Sequence, residues 1–424
     1  MAALHAAGEA ARLQNRATTV KLASGRYQLQ EPLVLPSGVT LRGTQGDNGT
    51  VLSGGVAITG WAPDVLGARP WLWRAPLPSP LRGAFREFSN GPRKEGWANG
   101  TTDDAIRQLW VGGQRRGVAR TQLLRYLSVT GTGIVAFPGQ LARSWNSSSV
   151  RAVTYQHWTA APRTVAGTSN VVCPADEAPA CLNKTCPVPD FPCNQLHFTE
   201  KPYPFTGNGC GDKEGSGRRY YLQNAPEFLR PESGTFFANG VSIYYSPMAL
   251  ELVDFQAGTP DVVAARPGLR TLLHGGESGC FPRIGPEYTD EQLARCGQNV
   301  SNTMRAENLV LEHTDTDELP CLGGKTNLCT GQAASHIPSA AVHFMFATSV
   351  QLTRLTVRHV GGWGVWFGAG TRDCKMSHSA VSDTGAGSAR VGEAGDGACV
   401  PAYAAFNQSD YWVSQRFHCL PYKH

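Results

Sequence analysis

Two histidines and an aspartate carry the strongest chemical signal in the chain. When Val350–Gly368 is laid over Cys374–Gly392, the offset is 24 residues and His359 falls on Asp383. An earlier copy, Leu309-Val-Leu-Glu-His-Thr, matches Leu355-Thr-Val-Arg-His-Val and brings His313 into the same column. Copies stacked as parallel strands place equivalent residues about 4.8 Å apart. Polar side chains on one column then converge. A carboxyl separation of about 5 to 5.5 Å is what a retaining glycosidase uses, with one group as nucleophile and the other as acid/base. Asp383 is the first candidate carboxylate. Asp315, Asp317, Asp373, Glu393 and Asp396 compete for the second place, and Glu393 is carried forward. His359 joins the catalytic set because a neighbouring imidazole moves a carboxyl pKa by its own charge. His313, Trp363 and Trp366 form the candidate sugar-binding set, since indole rings stack on sugar faces. Alternation points Val365 and Phe367 inward and Trp366 outward. The bland alternative for the column is a structural hydrogen-bonded ladder or turn cap.

These residues need a scaffold that repeats. Aligned strand patterns with glycine corners (Gly361 on Gly385, Gly368 on Gly392) fit a β-solenoid coil. A leucine-rich repeat has a similar period, but its Leu/Asn ladder is missing. Residues 18–58 alternate runs of three to five apolar residues with Gly and Ser, too short for helices and spaced as strands. Residues 2–16 read as an amphipathic helix with Leu4, Ala7, Ala11 and Leu13 on one face. The expected organisation is a cap helix and first coils over 1–60, a β-rich insertion over 61–300 and further coils over 301–424. The insertion includes a Cys- and Pro-rich loop at 173–215.

Composition narrows the function classes. The chain has 424 residues, Lys+Arg 38 against Asp+Glu 33, 48 Gly and 28 Pro. No run of basic residues stands out, so nucleic acid is not the expected partner. No apolar stretch reaches the length of a membrane span. The 12 cysteines are even in number and lack paired CxxC spacing, so disulfides are expected and a metal is not. No cofactor is expected either, and a monomer is. Six Asn-x-Ser/Thr sequons (Asn48, Asn99, Asn146, Asn183, Asn299 and Asn407) point to a secreted protein. Met1–Arg16 is not a signal peptide, so the natural start is expected upstream.

Several segments resemble one family. They are Gly25-Arg-Tyr-Gln-Leu, Val51-Leu-Ser-Gly-Gly-Val-Ala-Ile-Thr-Gly-Trp, Leu109-Trp-Val-Gly-Gly-Gln-Arg-Arg-Gly-Val-Ala-Arg and Tyr221-Leu-Gln-Asn-Ala-Pro-Glu-Phe-Leu. His359-Val-Gly-Gly-Trp-Gly-Val-Trp-Phe and Asp383-Thr-Gly-Ala-Gly-Ser-Ala-Arg-Val-Gly-Glu follow in the same order. The chain looks like the secreted right-handed parallel β-helix proteins of pectate-lyase-like fold and is similar to glycoside hydrolase family 141. The resemblance implies an all-β, right-handed parallel β-helix interrupted by a β-rich, disulfide-stapled insertion. It also implies hydrolysis of a cell-wall or matrix polysaccharide by paired carboxylates, and further coils beyond residue 393. A non-catalytic glycan-binding protein and a polysaccharide lyase are the alternatives.

Overall fold

The computed structural model describes residues 2–46, 49–64, 69–82, 106–130, 133–137, 139–141, 150–155, 160–173, 191–198, 219–276, 301–316, 339–368 and 370–392. The chain is mostly β. Two parallel sheets carry the apolar core. One is built from Thr18–Lys21, Gly25–Gln28, Val39–Arg42, Thr50–Ser53, Arg305–Glu312, Gln351–Val360, Lys375–Ser377 and Ala380–Thr384. The other stacks Leu33–Leu35, Leu273–Gly275, Ala340–Phe344, Trp363–Phe367 and Gly387–Val391. Every second residue turns inward, as the period of a strand requires. Leu41, Leu52, Leu311, Val342, Phe344, Leu352, Val357 and Val365 meet in one cluster. The helix Ala2–Gln14 adds Leu4, Ala7 and Ala11 to that core, while Leu13 stays exposed.

The strand registers follow the sequence repeat. Leu352 pairs with Met376, Val357 with Val381 and Phe367 with Val391, all 24 residues apart. Leu309 pairs with Leu355 and Glu312 with Arg358. Those partners lie 46 residues apart, 22 beyond the repeat.

The long strands bend at fixed places. Asn308, Arg354 and His378 have φ of 57°, 53° and 52°. His313, His359 and Asp383 have 63°, 57° and 47°. Thr303, Ser349 and Asp373 form a third such column. Left-handed backbone costs a non-glycine residue on the order of 1 kcal/mol, so these corners persist because the stacked neighbours impose them. Glycine serves a different need two residues past the last column. A Cβ on Gly385 would lie 2.0 Å from the carbonyl oxygen of Gly361, and one on Gly361 would lie 2.4 Å from that of Asp315.

Residues between the second and third rungs form other sheets. Eight strands run in the order Gly55–Ala57, Val262–Ala265, Leu109–Val111, Gln114–Val118, Thr235–Ala238, Ser242–Ser246, Trp73–Pro76 and Ala62–Pro63. All but one of their pairings are antiparallel. A closed antiparallel barrel holds Leu124–Val129, Gly133–Ala136, Phe191–Phe198, Ala160–Cys173, Arg151–Tyr155 and Arg219–Gln223. Each of these units has its own core. Cys374 is a free thiol. Cys181, Cys186, Cys210, Cys280, Cys296, Cys321, Cys329, Cys399 and Cys419 lie outside the described residues.

Leu311 is fully buried in the parallel core. Leu311→Ala is expected to cost about 3 kcal/mol of unfolding free energy, read from the urea midpoint. Gly385→Ala is expected to cost about 2 kcal/mol by overpacking against Gly361.

Candidate functional site

The column predicted from the repeat exists. The His313 and His359 rings stack at 5.3 Å between centroids and 13° between planes. His359 Nδ1 lies 2.8 Å from Asp383 Oδ2. The left-handed corner aims each of these side chains along the same edge of the stack.

Two further residues reach Asp383 from the antiparallel sheet. Trp110 Nε1 donates to Oδ2 at 2.8 Å and Arg115 Nε donates to Oδ1 at 2.8 Å. Arg115 also donates to the backbone carbonyls of Asp383 at 2.9 Å and Val360 at 3.0 Å, and its guanidinium hydrogen-bonds Gln108. Trp110 and Arg115 are direct cross-strand partners. The turn between their strands is Gly112-Gly113, with φ of 55° and 71°. Positive φ at both central residues is what a tight hairpin with the right twist demands, and glycine meets it without strain. Leu109 and Val111 face the core of their own sheet, so Trp110 faces the opposite way, onto the corner. Its ring packs 4.9 Å from His313 and 5.8 Å from His359, with Arg115 over it at 5.0 Å.

Burial pushes the Asp383 carboxyl up, but hydrogen bonds from Arg115, His359 and Trp110 together outweigh it and hold its pKa below the usual carboxylate range. Asp383 is therefore ionised at neutral pH. A carboxylate offers about four lone-pair sites. Three are occupied, and the side chain is 31% exposed, so one acceptor position is left for a ligand or water.

Beside the column lies a second anchored carboxylate. Glu312 is 1% exposed and bonds Arg26 and Arg358, the latter at 2.8 Å. Burial raises its pKa, and His313, Arg26 and Arg358 bring it below the ordinary value. His313 Nδ1 lies 3.1 Å from Ser53 Oγ. Burial drives the His313 pKa down to about 4, so the ring is neutral at pH 7. Ligand atoms of Glu312, His313 and His359 come within 4.8 Å of one another. The local charge argues against a cation there. Two guanidiniums already over-neutralise the carboxylate, and Asp383 spends its charge on Arg115.

The other candidates separate. Trp366, expected outward for sugar stacking, does leave the core face but is only 3% exposed. Its ring stacks on His343 at 4.2 Å and 6°, and the Arg390 guanidinium sits 3.9 Å from its centroid. Neighbouring rungs thus occupy the ring that a sugar would need. Trp363 is partly exposed, with Arg390 at 5.9 Å. Asp315 is buried and accepts from the Gly268 amide at 2.9 Å. Burial raises its pKa. Asp373 occupies a different corner column from Asp383. Asp317, Glu393, Asp396, Tyr411 and Trp412 lie outside the described residues. The residues not anticipated are Trp110, Arg115, Glu312 and Arg26. Trp110 and Arg115 stand inside the Leu109–Arg120 segment that carries the family resemblance, which marks them only in retrospect.

No family model matches the chain, and no curated protein matches it. Among solved structures it is similar to one titled "Glycoside hydrolase", at 19% identity and a TM-score of 0.57. The match covers 87% of this chain and 60% of that one, so this chain spans well under two thirds of its neighbour's length. At that identity the likeness is one of fold.

Three buried histidines set the pH response. Burial lowers His313 and His274 to about 4 and His343 to about 3. An unfolded histidine takes its proton near pH 6.5. Their stabilisation is complete above that pH and is lost as the pH falls towards 4. The depressed carboxyl of Asp383 acts in the same direction at lower pH. Urea midpoints measured from pH 7 to pH 4 are expected to fall throughout; a flat profile contradicts this.

Proposed function

We propose that the chain is a carbohydrate-active protein of glycoside hydrolase type. We read its parallel sheets as faces of a right-handed β-helix with coils over 1–60 and 301–424 and an insertion over 61–300. In this reading the protein works outside the cell, where its cysteines pair. Asp383 is the ionised carboxylate that attacks the anomeric carbon or activates water. His359 orients it. Glu393 is the second carboxyl and gives its proton to the leaving glycosidic oxygen as the carbon–oxygen bond breaks. His313 and Trp363 line the approach.

The observation that supports this reading is the state of Asp383. It is held ionised by three donors, keeps one acceptor position and sits at a partly exposed edge. The same three contacts support a second reading, in which Asp383 pins the antiparallel sheet to the stack and the protein binds glycan without cutting it.

One variant separates the two. If Asp383 reacts, Asp383→Asn keeps its circular dichroism spectrum and loses about a thousandfold of product release from cell-wall polysaccharides. Undiminished turnover in the folded variant overturns the assignment. If Asp383 only pins, the wild-type protein releases no product and the variant melts at a lower temperature.

A further inference from the structure

The sequence has no basic run, yet the strand register gathers arginines from distant parts of the chain onto one outer face. Glu307 and Glu312 lie on the same strand, Arg305–Glu312, and both point away from the core side of Ala306 and Leu311. Each is shared by two arginines. Arg42, its ladder partner, bonds Glu307 through both carboxylate oxygens at 3.2 and 3.3 Å. Arg354 approaches the same carboxylate at 3.8 Å. Arg358, the ladder partner of Glu312, bonds it at 2.8 Å, and Arg26 bonds it from the other side.

The stoichiometry decides what these groups are for. One arginine per carboxylate staples neighbouring rungs as well as two do. The second leaves each cluster with a net positive charge. The carboxylates are the covered partners, at 17% and 1% exposed for Glu307 and Glu312. The guanidiniums are open, at 48%, 44%, 43% and 43% for Arg26, Arg42, Arg354 and Arg358. A guanidinium has five N–H donors, and one or two of each are spent on the carboxylate. The rest form a rigid fork that fits a carboxylate or a sulfate. The inner cluster adjoins His313, so the two run in line to the Asp383 corner.

We infer that this face is an anion-recognition track for an acidic glycan, one bearing carboxylate or sulfate groups along its length. The inference rests on the glycan reading above and adds the substrate class. Each buried glutamate acts as a holder that fixes two guanidiniums for the ligand.

Binding to the full chain tests it without requiring turnover. The probes are polygalacturonate for the carboxylate arm, dextran sulfate for the sulfate arm, neutral xylan, and duplex DNA as the other polyanion. At least one acidic glycan is expected to bind tenfold or more tighter than xylan, and to weaken between 0.05 and 0.5 M NaCl as screening shortens the reach of the charges. The double variant Arg42→Gln/Arg354→Gln lies in the outer cluster, away from the Asp383 corner. It is expected to lose about tenfold of acidic-glycan affinity, with its circular dichroism and xylan affinity unchanged. Equal affinity for xylan, an unaltered double variant, or DNA bound as tightly as either acidic glycan overturns the proposal. Asp383→Asn keeps the acidic-glycan affinity if the track is right, whatever happens to turnover, so the two readings fail separately.

Discussion

Stacking in register is the constraint on which the other features depend. A backbone repeat of 24 residues fixes which side chains meet, because every ladder partner is set once one is set. Left-handed corners then fall in columns, and a column turns three residues far apart in sequence into neighbours. His313, His359 and Asp383 share a left-handed conformation that none of them would choose alone. The apolar stack of Leu52, Leu311, Val357 and Val381 beside them supplies the packing energy that holds it.

On this frame two charged motifs follow opposite rules. At Asp383 one carboxylate takes donors from an arginine, an indole and an imidazole, and its charge is consumed inside the molecule. At Glu307 and Glu312 one carboxylate serves two arginines, and positive charge is left over at the surface. The first arrangement fixes a geometry. The second creates a field.

Much of the parallel frame was legible because period and register are one-dimensional. The 24-residue offset, the inward leucines and the His/Asp column all follow from counting along the chain. The hairpin that closes over the column was not legible, because Trp110 and Arg115 are more than two hundred residues from Asp383 and no period links them. Trp366 shows the limit of alternation. It correctly leaves the core face, yet His343 and Arg390 on adjacent rungs bury it from above and below. Period says which way a side chain points; it does not say what lies there. The arginine clusters were hidden for a similar reason, since Arg26, Arg42, Arg354 and Arg358 form no run.

The corner column is also where the chain departs from its own repeat. Ser53 and Glu312 are ladder partners. After Ser53 the chain leaves to build the antiparallel sheet and the barrel, and rejoins at Leu273–Gly275. After Glu312 it takes the 22 additional residues before Ala340. After Arg358, the next partner, it passes to Trp363 with no detour. Excursions therefore issue from the edge that carries the polar column, and the ladder partners on both sides keep their registers. Such a design separates inheritance of the frame from invention at the rim: new segments can be gained, lost or rewritten beside the reactive edge while the stacked core beneath them stays as it was.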